Sequence, residues 1–314
     1  MKKICFIIPC YHSSKTIEIV VDSIKKEFVA HPDYSYRIIL SNDNLPDETY
    51  EVIKRLCHED LNIIGISLSR NFGQQAARMA ALPYIEGDYV VFMDDDGQHP
   101  STAIFPLVRA LEEGYDIAYA KFLKKHHSFL QKIGSRINSY MTIKLIGKPK
   151  DINVSSFFAV RMFVAEALKN YNTPFPYLLG YLLNITKNIV NVDAEHQPRI
   201  AGKTGYTLKK LFVLWVSGVT NFSVVPLRLS TAVGIILAIL GFIFGIITIV
   251  RKILNPEIAA GYTGTMAALL FIGGMIMVML GMLGEYVGRM YLAINNLPQY
   301  VVKEIINDVV KPEK

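Results

Sequence analysis

Apolar and polar positions follow two rhythms over the first two hundred residues. Short apolar runs rich in β-branched and aromatic residues recur at ICFII (4–8), RIILS (37–41), 62–68, 89–93, 115–120 and 187–194. They are too short for helices and read as buried strands; Pro9 closes the first, and a turn at Gly87-Asp88 leads into the fourth. Between them, apolar residues recur at helical spacing over about 16–28, 48–57 and from Ala76 onward, and Pro100-Ser101 opens a further helix running through 111. Strand–helix alternation of this kind predicts an α/β domain with a mainly parallel sheet.

Beyond residue 206 the rhythm changes. The stretch 208–228 is apolar but broken by Lys209, Lys210, Asn221 and Pro226, the pattern of an interfacial amphipathic helix with Trp215 at headgroup level. Two uncharged runs follow, 229–250 and 258–284, each long enough as a helix to cross ~30 Å of hydrocarbon. The connector RKILNPE is short, so the two form a transmembrane hairpin with both ends on one side. The tail at 297–308 is β-prone and reads as a strand for a neighbouring subunit or as a frayed end. The expected organisation is a catalytic-type domain over 1–206, an interfacial helix over 207–228, two spans (about 229–250 and 260–284) and a C-terminal helix and tail over 285–314.

Composition sharpens this division. At 314 residues, with 51% hydrophobic residues, the chain is apolar for a soluble protein, and the excess lies at its C-terminal end. A net charge of +6 suits an anionic membrane surface or phosphorylated substrates. Nucleic acid is not expected, because no basic stripe interleaved with aromatics is present. The segment 121–148 carries Lys121, Lys124, Lys125, Lys132, Arg136, Lys144 and Lys148 among apolar residues at roughly helical period, either a membrane-surface helix or one solvated face of a domain helix. Cys5, Cys10 and Cys57 have no metal-ligand spacing, and MKKICFIIPC is a strand closed by proline rather than an export signal.

Candidate chemistry centres on 85–100, IEGDYVVFMDDDGQHP. Three adjacent carboxylates at the end of a buried strand repel one another and are costly to desolvate. A hard divalent cation, Mg²⁺ or Mn²⁺, removes that conflict through oxygen ligands. Strand alternation puts Asp94 and Asp96 on one side and Asp95 on the other. A solvated acidic loop would carry the same three letters, so the motif alone leaves both readings open.

Together with Pro9-Cys10-Tyr11 and RNFGQQAARMA (70–80), this stretch resembles glycosyltransferase family 2 with its GT-A fold. RNFGQ (70–74), DDDGQHP (94–100) and LGEYVGRMY (283–291) make the chain most similar to the membrane-anchored polyprenyl-phosphate glycosyltransferases: bactoprenol glucosyltransferases, undecaprenyl-phosphate aminoarabinose transferases and, more distantly, dolichyl-phosphate mannose synthase. The resemblance implies a Mg²⁺ or Mn²⁺ ion on Asp94 and Asp96, and a nucleotide sugar against Pro9, Tyr11, Asp43, Arg70, Gln74 and Gln98. Asp95 and Asp151 are the catalytic candidates it leaves. In NDNLPDET (42–49), Asp43 and Asp47 keep the family's DDGSxDGT pattern, while Asn42, Asn44 and Leu45 depart from it. SFFAVR (156–161) puts Ser156 or Ser155 where relatives carry an aspartate, and Phe158 where arginine is usual. In EHQPRIAGKTGYT (195–207), Arg199, Lys203 and Tyr206 are the implied holders of a lipid phosphate, with Lys203 two residues before the family's lysine.

The function implied is transfer of a sugar from a nucleotide-diphosphate donor, UDP-linked, to polyprenyl phosphate, with inversion, at the cytoplasmic face of a bacterial-type plasma membrane. The implied partners are nucleotide sugar, polyprenyl phosphate, the lipid bilayer and further copies of the chain, a tetramer by resemblance. Two other readings remain. A processive polysaccharide synthase would carry QxxRW and more spans, whereas the only tryptophan here is Trp215 in VLWVSG. A non-catalytic membrane scaffold is compatible with the altered 42–45 and 155–158 segments.

Overall fold

The computed structural model describes residues 1–44, 47–122, 147–174, 176–195, 225–255, 261–295 and 297–307. These fall into two compact units, 1–212 with 296–314, and 213–295. The sheet unit is built from β1 (Lys2–Cys10), α1 (Ile17–Val29), β2 (Tyr34–Asn42), α2 (Thr49–Glu59), β3 (Ile63–Leu68), α3 (Gln74–Ala81), β4 (Tyr89–Phe92), α4 (Ile104–Glu112), β5 (Ile117–Phe122), β6 (Phe158–Arg161), α5 (Met162–Leu168), α6 (Leu178–Ile185), β7 (Ile189–Ala194) and β8 (Val302–Ile306). A short 3₁₀ turn, Ser101–Ala103, leads into α4, so the helix expected from Pro100 begins as 3₁₀.

The eight strands lie in the order β7-β5-β6-β4-β1-β2-β3-β8. β6 and β8 run antiparallel to their neighbours, and the other pairings are parallel. Residues Ile4 to Cys10 of β1 are all buried, as expected when helices cover both faces of a parallel sheet. On one face, Ile4, Phe6 and Ile8 pack with Ile17, Val20, Val21, Ile24 and Phe28 of α1. Each such side chain contributes on the order of 1.5–3 kcal/mol by leaving water. The β1–β4 register is fixed at its entry: Lys3 donates its N–H to Asp88 Oδ2 (2.8 Å), and Asp88 donates its own to Lys3 O (2.8 Å). Gly87 makes that approach possible at φ 124°, since a Cβ there would stand 2.6 Å from Lys3 O.

Three features differ from the sequence reading. β6 is a four-residue strand inserted between β5 and β4, within a segment that reads as a motif rather than a strand. The tail does not wait for a neighbouring subunit: β8 pairs antiparallel with β3 of its own chain, Ile66 opposite Ile305, and covers that edge. Lys148 does not lie on a solvated basic face; it is buried and donates to Ile152 O. The remainder of the basic segment (123–146) and the expected interfacial helix up to 224, with Trp215, lie outside the described residues.

The second unit contains α7 (Val225–Leu254) and α8 (Tyr262–Ile294). At 1.5 Å per residue they are about 45 and 50 Å long, both exceeding the expected spans. Their apolar side chains face outward: Phe242, Phe244 and Met277 are each about 70% exposed (72%, 70% and 69%). One stretch, Phe271–Ile294, is long and apolar enough to cross a membrane among the described residues, and Thr231–Ile247 is a shorter apolar run. An apolar surface on every side of a helix calls for a non-aqueous environment.

Asp60 locks the α2–β3 junction to the rest of the sheet unit. Its carboxylate meets Lys25 Nζ at 2.9 Å and accepts from Tyr36 Oη at 2.7 Å and Asn62 N at 2.9 Å. Burial works to raise its pKa, but Lys25, Tyr36 and the Asn62 N–H outweigh it and hold the group below the usual carboxylate range. The resulting stability is present above the unfolded value of ~3.9 and lost as pH falls through the lower folded one. Asp60→Asn is therefore expected to cost about 1–3 kcal/mol at neutral pH and to flatten the acid limb of the stability curve. Circular dichroism melts of the full chain in detergent would check this, and an unchanged melting point at pH 7 would refute it.

Candidate active site

The strand order reverses at β1: β2 and β3 extend to one side and β4 to the other. Open α/β sheets bind ligands in the crevice beyond the strand C-termini at such a switch point. The ends of β1, β2, β3 and β4 deliver Pro9–Tyr11, Asp43, Arg70 and Asp94–Asp96 there.

Asp94, the first residue of the acidic loop, is held by several donors. Its Oδ1 accepts from Gln74 Nε2 (2.8 Å) and Arg78 Nη2 (2.7 Å), and its Oδ2 from Ser156 Oγ (2.6 Å). Gln74 and Arg78 are four residues apart on α3 and so share a face. The Asp94 N–H donates to His99 Nδ1 (2.9 Å), which puts the imidazole proton on Nε2, 3.3 Å from Ser156 Oγ and 3.6 Å from Asp94 Oδ2. Burial opposes ionisation of Asp94, yet Arg78, His99 and Ser156 keep its pKa below the usual range.

Asp95 lies beyond the end of β4 and is held by a different loop, its Oδ2 accepting the Tyr11 N–H at 2.8 Å. Burial pushes its carboxyl up to about 6, against the bonds from Tyr11 and Ser13. Asp96 Oδ1 accepts the Gln98 N–H at 3.1 Å. Three carboxylates within three residues form an oxygen-only donor set, which fits Mg²⁺ or Mn²⁺. Among the described residues, however, no group of three or more His, Cys, Asp or Glu is arranged to hold a metal ion.

Asp43 is buried, and it accepts the N–H groups of Phe72 (2.7 Å) and Gly73 (2.8 Å). Burial raises its pKa, while the two backbone donors work against the shift. The same bonds shape the loop leading into α3. Gly73, the residue before that helix, sits at φ 90°, ψ 156°, a region open in practice only to glycine. Arg70 stacks its guanidinium on Phe72, 4.6 Å from the ring centroid. Asp47 Oδ1 accepts the Thr49 N–H at the start of α2 (3.0 Å), and Thr49 Oγ1 in turn accepts the Ser13 N–H (3.0 Å), joining the β1 and β2 loops.

The remaining expected residues divide three ways. Pro9 lies in β1 opposite Ser41, and Tyr11 exposes its ring beside the acidic loop. Asp151 is exposed in a turn. Arg199, Lys203 and Tyr206 lie outside the described residues. Two residues at the centre had no assigned role in the sequence reading, Arg78 and His99. A signal for Arg78 existed, since it is the one charged residue among the alanines of QQAARMAA and stands one helical turn beyond Gln74.

Comparison with known proteins bears on this geometry. The model of glycosyl transferase family 2 matches residues 5–169, and that of the GtrB C-terminal hairpin matches residues 225–290. CsbB of Bacillus subtilis (strain 168) is 32% identical, covering 96% of this chain and 91% of that protein. The prophage bactoprenol glucosyl transferase homolog of Escherichia coli (strain K12) is 30% identical over 96% of this chain and 99% of its own. The undecaprenyl-phosphate 4-deoxy-4-formamido-L-arabinose transferase of Yersinia pestis (strain Pestoides F) is 30% identical over 98% and 94%. Among solved structures, glucosyl-3-phosphoglycerate synthase from Mycobacterium tuberculosis, in complex with Mn²⁺ and UDP-glucose, shares the fold with a TM-score of 0.51, 17% identity, and coverage of 70% of this chain and 77% of that one.

Gly73→Ala meets nothing within 4 Å of the added Cβ, so its whole cost is backbone strain, about 1–3 kcal/mol. Hydrogen exchange should then accelerate over 70–81 and leave β1 unchanged. Asp43→Ala should produce the same local signature by releasing the two amides. Uniform acceleration across the sheet, or none at 70–81, would contradict this account of the loop.

Proposed function

The chain belongs to glycosyltransferase family 2, and from that premise we propose that it transfers a sugar from a UDP-type nucleotide donor to polyprenyl phosphate at the cytoplasmic face of the membrane. The observation that carries the donor half is the acidic loop Asp94–Asp96 at the switch point, beside the α3 entry loop held by Asp43. The acceptor half is supported by the relatives named above and by the exposed apolar helices α7 and α8, which suit a membrane anchor of two spans. Association of several copies, four by resemblance, belongs to the same reading.

In this reading the nucleotide lies between Tyr11 and the Arg70–Gly73 loop, with Arg70 and the α3 N-terminus toward the diphosphate. Asp94 and Asp96 are the carboxylates of the loop that would face a cation, and Gln98, whose N–H donates to Asp96, frames the same turn. A bound Mg²⁺ or Mn²⁺ would supply counter-charge to the diphosphate as it leaves. Arg199, Lys203 and Tyr206 hold the lipid phosphate, whose oxygen displaces the nucleotide with inversion at the anomeric carbon. A serine, Ser156 or Ser155, where the resemblance implies an acid, leaves the chemistry intact. A phosphate monoester has its second pKa near ~6 and arrives at pH 7 largely ionised, so it needs little help from a base. Asp151 orients the acceptor or the sugar rather than removing a proton.

Purified protein incubated with undecaprenyl phosphate and a panel of nucleotide sugars should yield one lipid-linked sugar by mass spectrometry. Asp96→Asn or EDTA should abolish that product while the circular dichroism spectrum is unchanged. Full turnover in EDTA would refute the catalytic cation.

Lys203→Ala separates the acceptor from the donor. Loss of one charge-assisted phosphate contact, roughly 1.5–3 kcal/mol, should raise the apparent acceptor constant about ten- to a hundredfold. Nucleotide binding measured by calorimetry should change little. The opposite split would assign the 199–206 loop to the donor.

A further inference from the structure

The loop 69–73 joins β3 to α3 and carries Arg70, and its backbone is held from two sides. From the β2 side, Asn44 Nδ2 donates to Ser69 O (2.8 Å), and Asp43 accepts the N–H groups of Phe72 and Gly73. The other hold comes from the C-terminal tail, where Val301 O accepts the Ser69 N–H at 2.8 Å. The β3–β8 register shifts just before this bond: Glu304 lies opposite Ser67 and Val302 opposite Leu68, with Lys303 the extra residue. Such a bulge bends its strand and is common beside active sites. The tail is itself clipped at both ends by side-chain amides. Gln299, only 8% exposed, donates to Thr173 O (2.9 Å), and Asn307 donates to Ile63 O (3.0 Å) and Cys57 O (2.5 Å). Gln299 and Tyr300 also line one small cavity with Met79 of α3.

We propose that the tail 299–307 is a positioning strap for the nucleotide-binding loop, holding the backbone ahead of Arg70 while Asn44 and Asp43 hold it from the β2 side. The inference rests on the donor reading above. Without β8, β3 would be the edge strand of the sheet, and the amide that opens the loop would lose its acceptor. The backbone leading to Arg70 would then open locally more often. No residue of the strap has to touch the nucleotide, because the effect passes through Ser69. Linkage makes the effect reciprocal: if an ordered strap strengthens nucleotide binding, a bound nucleotide must tighten the strap by the same factor.

Reciprocity permits a test on the unaltered, full-length protein in detergent, with UDP and Mn²⁺ as the probe. Adding them should slow hydrogen exchange at Ser69 and along β8 as well as over 70–73. Protection confined to 70–73, with β8 unchanged, would overturn the proposal. Gln299→Leu, which removes one clip at nearly constant size, gives the second arm. It should accelerate exchange at 69–73 and raise the UDP dissociation constant measured by calorimetry about fivefold or more, the lower end of typical couplings between separate sites. The apparent constant for the lipid acceptor should stay as in wild type. A strap that serves stability alone would lower the melting temperature and leave the UDP constant of the folded variant unchanged, and that outcome also overturns the proposal. If wild type itself binds no UDP, the donor reading falls first, and the role of the strap falls with it.

Discussion

Carboxylates at the end of a strand buried on both faces must find donors, and the architecture of this site follows from how each one does so. Asp94 takes a guanidinium, an amide and a hydroxyl from α3 and from the segment before β6. Asp95 takes the Tyr11 N–H beyond β1, and Asp43 takes two N–H groups ahead of α3. Each bond satisfies a group that would otherwise be costly to bury, and each draws a loop from a different strand toward one crevice. The loops are ordered because the acids beneath them require partners, so the electrostatic problem and the positioning of the site have the same solution.

Two residues of the 156–161 segment have roles that follow from the same constraint. The Ser156 hydroxyl donates to Asp94 while lying within reach of His99 Nε2. A second carboxylate there would face Asp94 directly, whereas a hydroxyl adds a donor and no repulsion. Phe158 stacks on Phe92 with ring centroids 4.6 Å apart and tilts against Tyr119 at 5.1 Å. Phe158 is part of the core, and the guanidinium beside Asp94 comes from α3.

The C-terminal strand shows a different economy of the fold. After α8 the chain re-enters the sheet unit, where Gln299 donates to Thr173 O (2.9 Å) and β8 pairs along β3. Asn307 closes the turn by donating to Ile63 O (3.0 Å). The parallel edge of β3 is thereby covered, and the short strand β8 becomes the outer strand of the sheet on that side.

Local pattern was enough to place most of the sheet. β1, β2, β3, β4, β5 and β7 were legible because a strand buried on both faces writes a continuous apolar run, and the acidic loop because three adjacent carboxylates are conspicuous after such a run. The family was legible from RNFGQ and DDDGQHP, whose spacing is local. β6 escaped notice because four residues carry too little periodicity, and its place between β4 and β5 depends on pairing with strands distant in sequence. The partner of β8 could not be read either, since a β-prone tail does not name the edge it joins. Arg78 is the clearest case: on helical pattern alone it is one polar residue in a run of alanines. Only the packing of α3 beside the end of β4 brings its guanidinium to Asp94, and only burial makes that contact a strong one, because the energy of a charge pair depends on the water around it and sequence does not encode that locally.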